Sequence, residues 1–344
     1  MKVARFYGPR DLRIEEDDVP RPGRGQLLVR VRNALTCGTD VKMWERGHPF
    51  VKRPIVLGHE FVGLVEEVGE GVDGFKQGQK VVAANSAPCL ACSACRRGNE
   101  NLCENLEDEI IGFTSPGVYA EYTLIPSRIV RTNTFVVTPE LGDEDASFLE
   151  PLACVVHGLD VSGDAVRGRV LILGGGPIGL MLLQVAKLRG AEEVVLSDPH
   201  GHKLSIARDL GADVTVQARK DTTLRELRAA TGHGVDLAIE AVGTVETWGL
   251  AFGLTRPGGI TLMFGGCKTG EEVSLDAYQL HYQEKRLQGA FHHTPSAVRE
   301  AFTLLSKRKL VLQPLVTTHL PLGQVEKALE MVSRGEALKV ALKP

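Results

Sequence analysis

The sequence predicts an α/β plus β fold, in which a central, doubly wound parallel sheet is inserted into an outer, mostly antiparallel β domain. Three observations predict it. Residues 26–32 alternate apolar and charged side chains, which is typical of a strand with one solvated face. From about residue 168, apolar runs alternate with helical segments, as in parallel sheets covered on both faces. After residue 288 this pattern stops, so we assign residues 1–153 and 289–344 to the outer domain and residues 154–288 to the central one.

The composition is that of a folded globular protein. The chain has 344 residues, of which 43% are apolar and 24% charged, and 40 basic and 43 acidic residues give a net charge of −3. The charges are scattered, so no basic block predicts binding to nucleic acid or to a membrane surface. The opening segment lacks an apolar signal core, and the most apolar stretch, residues 178–186, is too short to span a bilayer. We therefore expect a cytoplasmic protein.

The first third of the chain is predicted to be mostly antiparallel β structure, because strand-like runs at residues 61–68 and 80–83 are separated by glycine-rich turns. In the central domain the apolar runs VLIL, VVLS, DLAIEAV and ITLMFG are each separated from the next by a helical segment. The first of these helices spans residues 177–189, with Pro177 at its start and Gly190 just past its end. This alternation predicts the parallel sheet.

The C-terminal segment has a different pattern. Thr294 can cap a helix that has Pro295 at its first position, and the apolar residues that follow fall on one helical face. A second amphipathic helix ends before Gly335, and a short strand is expected around Val340. These elements indicate that the chain returns to the outer domain.

A glycine-rich turn in the central domain predicts a dinucleotide site. Gly174, Gly176 and Gly179 have GxGxxG spacing, directly after a strand and before a helix. Such glycines permit a tight turn, a close approach to pyrophosphate and close helix packing, while the helix N-terminus attracts phosphate. The motif alone is weak, since other α/β proteins have glycine-rich turns. Here the next strand ends in Asp198, nineteen residues beyond Gly179, where a carboxylate can bind ribose hydroxyls.

Asp198 also favours NAD over NADP as the cofactor. Its carboxylate would repel a 2′-phosphate, and no arginine follows directly to receive one. A basic cluster of His200, His202 and Lys203 could soften that preference. The remaining predicted cofactor contacts are Pro177, Ile178, Lys203 and Val242.

Four of the seven cysteines lie within fifteen residues and predict a metal site. They form the pattern CxxCxxCx7C in a lobe at residues 86–106, and are Cys89, Cys92, Cys95 and Cys103. Four thiolates surround Zn²⁺ tetrahedrally, and a site filled by protein ligands is structural. A redox-active CxxC pair and an iron–sulfur cluster are the alternatives, because they use the same ligand.

A second, dispersed set of residues also suits zinc. Cys37 lies in TCGTD, His59 and Glu60 lie in GHE, and Glu150 lies in FLEPL. Three protein ligands plus a water or substrate make a catalytic zinc site. Each residue also has an ordinary structural explanation, and spacing along the sequence does not bring the four together.

These motifs resemble those of the zinc-containing medium-chain alcohol dehydrogenases, particularly the sorbitol (polyol) and threonine dehydrogenase branches. The matching segments are CGTD, GHE with the following FVGLVEEVGEGV, the cysteine lobe ending GNENLC, YAEY, EPLACVVHG, and GGGPIGL with the later SD. They lie in the family's order over essentially the whole chain. The resemblance implies a GroES-like catalytic domain from both chain ends, a Rossmann domain between them, an active site in the cleft that separates the two, and a homotetramer or homodimer.

The resemblance also implies two zinc ions per chain, one structural and one catalytic. It places the catalytic ion on Cys37 and His59, with Glu60, Glu150 or both completing the shell. We expect the two glutamates to exchange roles, because a second permanent carboxylate would leave a negative charge that opposes ionisation of the substrate.

The expected reaction oxidises a secondary alcohol to a ketone and transfers hydride to NAD. Thr39, two residues after Cys37, is the expected first proton acceptor. Lys42 stands where the family often has a histidine that passes the proton outwards, so the relay ends differently or Lys42 contacts substrate. Polyols, sugars, amino alcohols such as threonine, and simple secondary alcohols all suit the site.

Two other functions are weighed against this one. A zinc-free quinone or enoyl reductase would share the fold and use NADPH, but those relatives lack the cysteine lobe and the Cys, His and Glu set. A non-catalytic nucleotide-binding relative would be expected to keep the glycines and lose the ligands, whereas this sequence has both.

Overall fold

The computed structural model describes residues 1–51, 54–219 and 223–344. The chain folds into two compact units, one formed by Met1–Ala153 with His293–Pro344 and the other by Cys154–His292. Within the described part of the chain, no helix combines the length and the apolar character needed to cross a membrane.

The elements follow in chain order. The strands up to residue 136 are β1 (Lys2–Gly8), β2 (Asp11–Glu16), β3 (Leu27–Leu35), β4 (Ile55–Val56), β5 (Glu60–Val68), β6 (Lys80–Ala83), β7 (Tyr122–Ile125) and β8 (Thr134–Val136). The helices up to residue 160 are α1 (Gly38–Arg46), α2 (Ser93–Arg96), α3 (Ser127–Asn133), α4 (Asp143–Ala146) and α5 (Leu149–Asp160). The second unit continues with β9 (Arg169–Leu173), α6 (Pro177–Leu188), β10 (Glu193–Asp198), α7 (Gly201–Asp209), β11 (Val214–Gln217), α8 (Thr223–Thr231), β12 (Val235–Glu240), α9 (Val245–Leu254), β13 (Thr255–Met263), α10 (Ala277–Tyr282) and β14 (Arg286–Gly289). The C-terminal elements are α11 (Pro295–Ser306), β15 (Val316–Pro321), α12 (Val325–Ser333) and β16 (Lys339–Lys343).

The main sheet of the first unit is mostly antiparallel, with strand order β15-β16-β3-β5-β6-β8 and with β7 paired to β3. In β3 the apolar side chains are buried and Arg30 and Arg32 are exposed, which confirms the predicted alternation. Leu35, the last residue of β3, lies opposite Glu60 of β5 and opposite Ala341 of β16. This register therefore brings the end of β3, the start of β5 and the C-terminal strand together.

The sheet of the second unit is parallel throughout, in the order β11-β10-β9-β12-β13-β14. Its strands are buried on both faces, as the continuous apolar runs predicted. The order reverses next to β9, and in such sheets ligands bind at the carboxyl ends of the strands at this point. The predicted fold class is confirmed.

Two strands of this sheet were not predicted. Between VVLS and DLAIEAV we expected one helix, whereas the structure has α7, β11 and α8. The parallel pattern also continues through β14, to Gly289. Both strands lie at the edges of the sheet, and their short sequences, VTVQ and RLQG, lack the continuous apolar run of a strand buried on both faces.

Candidate zinc and dinucleotide sites

The four cysteine sulfurs of the lobe at residues 86–106 lie within 4.8 Å of one another. All four cysteines are free thiols. The sulfur of Cys92 lies 3.4 Å from that of Cys95 and 3.9 Å from that of Cys103. Tetrahedral Zn²⁺ with Zn–S bonds of ~2.3 Å requires sulfurs about 3.8 Å apart. The cluster therefore fits a closed, four-coordinate zinc site.

Backbone N–H groups prepare two of these thiols to lose their protons. Donation from the Ala91 N–H lowers the pKa of Cys89 to about 6, and donation from the Cys95 N–H lowers the pKa of Cys92. Burial has the opposite effect on the other two, raising the pKa of Cys95 to about 12 and raising that of Cys103. Binding of a metal ion would displace the remaining protons, because the thiolate is the ligand.

Strand pairing brings together three members of the dispersed set. Cys37 lies two residues after the end of β3 and His59 directly precedes β5, so the antiparallel pairing of these strands sets them side by side. The ligand atoms of Cys37, His59 and Glu60 lie within 4.8 Å of one another, and the last two side chains are buried. A thiolate, an imidazole and a carboxylate are all zinc ligands.

Asp40 lies against the imidazole of His59. One carboxylate oxygen of Asp40 lies 3.1 Å from His59 Nδ1, and the other accepts from the Tyr119 hydroxyl at 2.7 Å and the Cys37 N–H at 3.1 Å. Burial lowers the pKa of His59, but Asp40 and Cys37 outweigh it and raise the pKa well above its usual value. The 3.1 Å contact lacks hydrogen-bond geometry, since neither His59 Nδ1 nor Asp40 Oδ1 has a hydrogen-bond partner among the described residues. A carboxylate beside one ring nitrogen is a common arrangement for metal-bound histidine.

Glu60 has one oxygen bound and one oxygen available. Oε2 accepts from the ammonium of Lys339, whereas the buried Oε1 has no hydrogen-bond partner among the described residues. Burial raises the pKa of Glu60 to about 7; the charge of Lys339 opposes this shift and that of Glu150 adds to it. Since buried polar atoms are normally paired, an orphaned carboxylate oxygen fits a metal ligand.

Glu150 is a charged neighbour of this cluster. Glu150 lies in the first turn of α5 and is 7% exposed. One of its carboxylate oxygens lies within 4.8 Å of a ring nitrogen of His293, whose Nε2 is 3.2 Å from Asn85 Oδ1. Glu150 therefore lies next to the His293 imidazole, and its charge acts on Glu60.

Thr39 and Lys42 both lie on α1, which Cys37 caps. The Thr39 N–H lies 3.4 Å from the Cys37 sulfur, and its side chain is half-buried. Lys42 lies on the exposed face of the same helix.

Sequence reasoning missed three residues of this region: Asp40, His293 and Lys339. Asp40 had a local signal, since it stands three residues after Cys37 and completes the cap of α1. Lys339 had only a weak one, a cation that begins the apolar strand KVALK. His293 had none beyond the sequence HH, because its neighbours come from distant parts of the chain.

The glycine-rich turn joins β9 to α6. Gly174 has φ +108°, which favours glycine, and a Cβ on Gly179 would lie 1.8 Å from the Gly174 carbonyl oxygen. A Cβ on Gly176 would meet nothing within 4 Å. Pro177 and Ile178 begin α6 and are half-buried. Packing thus explains two of the glycines, and Gly176 leaves open space at the helix N-terminus, where phosphate binds readily.

Asp198 is tied to the same turn. Its Oδ2 accepts from the Gly175 N–H at 2.8 Å and its Oδ1 from the His200 N–H at 2.9 Å. The Lys203 ammonium lies 3.8 Å from Oδ2. Val242, 46% exposed, borders the turn from the end of β12. The carboxylate is therefore held at the switch point of the sheet, with a cation beside it.

Comparison with known proteins extends over the whole chain. Residues 23–133 match the family of the alcohol dehydrogenase GroES-like domain, and residues 177–307 match the zinc-binding dehydrogenase family. D-arabinitol dehydrogenase 1 of Uromyces fabae is 33% identical, with 100% of this chain and 97% of that protein covered. L-threonine 3-dehydrogenase of Symbiobacterium thermophilum is 34% identical, with 96% of this chain and 94% of that protein covered.

A solved structure has the same fold. It is a protein of Sinorhizobium meliloti 1021 described as a zinc-binding dehydrogenase bound to NADP, and it matches with a TM-score of 0.91 and 31% identity, covering 100% of this chain and 99% of its own. The resemblance seen in the sequence motifs is thereby confirmed. The chain belongs to the zinc-containing medium-chain alcohol dehydrogenase superfamily.

Proposed function

We propose that the chain is a zinc-dependent, NAD-linked dehydrogenase that oxidises a secondary alcohol of the polyol, sugar or amino-alcohol class to a ketone. The observation that carries the proposal is the convergence of the ligand atoms of Cys37, His59 and Glu60, together with the unpartnered oxygen of Glu60. A half-exposed thiol beside two buried ligands leaves room for a substrate, unlike the filled set of four cysteines.

The side chains of this cluster divide the work of the site. Cys37, His59 and Glu60 would hold the catalytic zinc, which when bound polarises a hydroxyl group and lowers its pKa. Asp40, whose carboxylate lies 3.1 Å from Nδ1, is proposed to hold the imidazole so that Nε2 faces the metal. Glu150 is proposed to exchange with Glu60 as ligand or to hold a water beside it, because its charge acts directly on Glu60.

Proton removal is assigned to α1. Thr39 is proposed to receive the substrate proton and to pass its own onwards, since its backbone N–H lies 3.4 Å from the Cys37 sulfur. Lys42 lies on the exposed face of the same helix, so the proton relay is proposed to end differently from that of relatives with a histidine at this position.

The second unit is proposed to bind NAD, whose nicotinamide accepts the hydride. The turn at Gly174, Gly176 and Gly179 would cradle the pyrophosphate at the N-terminus of α6, beginning at Pro177 and Ile178. Asp198 would bind the ribose hydroxyls. Lys203 and His200 lie close enough to Asp198 to attract a 2′-phosphate, so we expect weak activity with NADP as well.

The test is a screen for NADH formation over polyols, aldoses, amino alcohols and simple secondary alcohols. The screen is run with NAD and with NADP, then repeated after chelation and after zinc is restored. We expect turnover with NAD that is abolished by chelation and recovered when zinc is added. Lys203→Ala should raise the ratio of activity with NAD to activity with NADP. A protein that holds zinc and NAD but turns over no alcohol would contradict the proposal and favour a non-catalytic relative.

The remaining assignments are proposals of the same kind. The four-cysteine cluster would hold a second, structural zinc ion, which gives two ions per chain. The first unit is proposed to be the catalytic domain. A homodimer or homotetramer, and a cytoplasmic location, stay predictions; light scattering of the purified protein measures the first.

A further inference from the structure

Lys339 is a buried cation that the functions assigned above do not use. It begins β16 and is 3% exposed. Its ammonium donates to the Thr36 carbonyl at 2.9 Å and to Glu60 Oε2, and it lies 5.6 Å from the centre of the Phe148 ring. Burying a lysine costs several kcal/mol unless it is paired and hydrogen-bonded. A cation kept in this position therefore has a specific partner, and that partner is Glu60.

The backbone decides that these two side chains meet. Strand β3 lies between β5 and β16, and its last residue, Leu35, is opposite Glu60 on one side and Ala341 on the other. The ion pair thus crosses the end of β3, next to the segment that contains Cys37. Both charged residues are held on a buried sheet, so neither has freedom to reorient as an exposed pair would.

The ion pair of Lys339 and Glu60 leaves one carboxylate oxygen unsatisfied, which indicates a further binding partner for Glu60. A carboxylate in a purely structural buried pair normally has both oxygens hydrogen-bonded. Here the ammonium takes Oε2, and the buried Oε1 has no hydrogen-bond partner in the described part of the chain. The Glu60 carboxylate nevertheless lies within 4.8 Å of the ligand atoms of Cys37 and His59.

Charge balance points the same way. A Cys37 thiolate with Glu60 and Glu150 carboxylates carries three negative charges, one more than Zn²⁺ neutralises. The ammonium of Lys339 supplies the missing positive charge from behind Glu60, without occupying a position on the metal.

We propose that Lys339 is a positioning residue for the catalytic metal site: it fixes Glu60 through Oε2, directs Oε1 to the metal ion, and compensates the second carboxylate. The inference rests on the proposed function, since it presumes that zinc binds at Cys37, His59 and Glu60. Partners that orient metal ligands typically change metal affinity by ~10–100-fold when they are removed.

The experiment measures zinc affinity by chelator competition, and the coordination of cobalt(II) at the same site by its visible absorption. The variants are Lys339→Met, Lys339→Arg and Lys339→Gln, the last of which keeps hydrogen-bond donors without the charge. Lys339→Met is also made in a Glu60→Gln background. Lys285→Met is the matched control, because Lys285 is a buried lysine of the second unit that donates to an amide oxygen and a carbonyl and lies 5.1 Å from the centre of the Phe252 ring. Circular dichroism and thermal melts select the folded variants.

We expect Lys339→Met and Lys339→Gln to raise the zinc Kd of this site by ~10–100-fold and to change the cobalt spectrum. Lys339→Arg should recover most of the affinity, Lys285→Met should bind as wild type, and Lys339→Met should add little in the Glu60→Gln background. The structural zinc in each variant is the internal reference.

A folded Lys339→Met or Lys339→Gln protein with a zinc Kd within about threefold of wild type would overturn the inference, as would an undiminished effect in the Glu60→Gln background. These results differ from a failure of the proposed function. In that case the wild-type protein itself would bind zinc at the cysteine cluster alone, or would bind two ions and oxidise no alcohol.

Discussion

Gly176 and Gly179 lie in one turn but have different surroundings, which allows folding and cofactor binding to be separated. A Cβ on Gly179 would lie 1.8 Å from the Gly174 carbonyl oxygen, whereas real Cβ atoms essentially never come closer than 3.0 Å. Gly179→Ala must therefore displace backbone by the difference, about 1.2 Å. A Cβ on Gly176 would meet nothing within 4 Å, and its φ of −72° and ψ of 177° are accessible to alanine.

These geometries set the expected magnitudes. Overpacking against backbone costs ~1–3 kcal/mol and occasionally more, and at ~2–4 °C per kcal/mol a cost of about 3 kcal/mol lowers Tm by about 6–12 °C. Gly176→Ala should change the free energy of unfolding by less than about 1 kcal/mol. Its methyl group would instead meet the pyrophosphate, so we expect the Kd for NAD to rise at least about tenfold.

Differential scanning calorimetry measures the first effect, and titration calorimetry with NAD measures the second. Gly253→Ala is the control, because Gly253 is exposed near the end of α9 and a Cβ there also meets nothing within 4 Å. Unchanged NAD binding by Gly176→Ala would refute the assignment of the phosphate site to the N-terminus of α6. An unchanged Tm for Gly179→Ala would refute the steric argument.

Two further predictions concern a metal ligand and an ion pair. Cys95→Ser should remove about one zinc ion per chain and speed limited proteolysis at residues 86–106, because a closed site needs all four thiolates; metal analysis with unchanged zinc would contradict this. Burial raises the pKa of Asp236, but the Arg169 N–H and the Arg256 guanidinium outweigh it, so the pKa is lowered from its ordinary value of 3.8. This stabilisation is present above pH 3.8 and is lost as pH falls through the lower folded value. Asp236→Asn should therefore lower the free energy of unfolding by ~1–3 kcal/mol at pH 7 and by much less near pH 2. Urea melts at the two pH values measure this. An equal loss at both would contradict the link between the lowered pKa of Asp236 and stability.

Element boundaries with a local chemical cause were predictable. Pro177 begins α6, and Thr294 caps α11 with Pro295 at its first position. Helix capping and proline at the first helical position involve residues that are adjacent in the chain, so short sequence motifs are enough to predict them. The edge strands β11 and β14 were missed for the opposite reason. Their pairing with a neighbouring strand decides their conformation, and their own side chains give no continuous apolar signal.

The cysteine lobe and the glycine-rich turn were likewise local. Cys89 and Cys103 are close enough in sequence for the spacing to define a metal site, and Gly174 and Gly179 contact each other across a single turn. The sequence alone therefore determined the fold class, the four cysteines as a cluster and the strand, turn and helix of the dinucleotide motif.

The tertiary structure decided the arrangement of the dispersed set. Leu35 lies opposite both Glu60 and Ala341, and this register places Lys339 on a carboxylate 279 residues away. The same pairing leaves Glu60 Oε1 without a hydrogen-bond partner among the described residues and sets Asp40 on His59. Such contacts depend on strand register, which is specified by burial of one sheet face and not by residues adjacent in the chain. Residue types could therefore predict zinc chemistry, but only the folded sheet shows which groups surround each ligand.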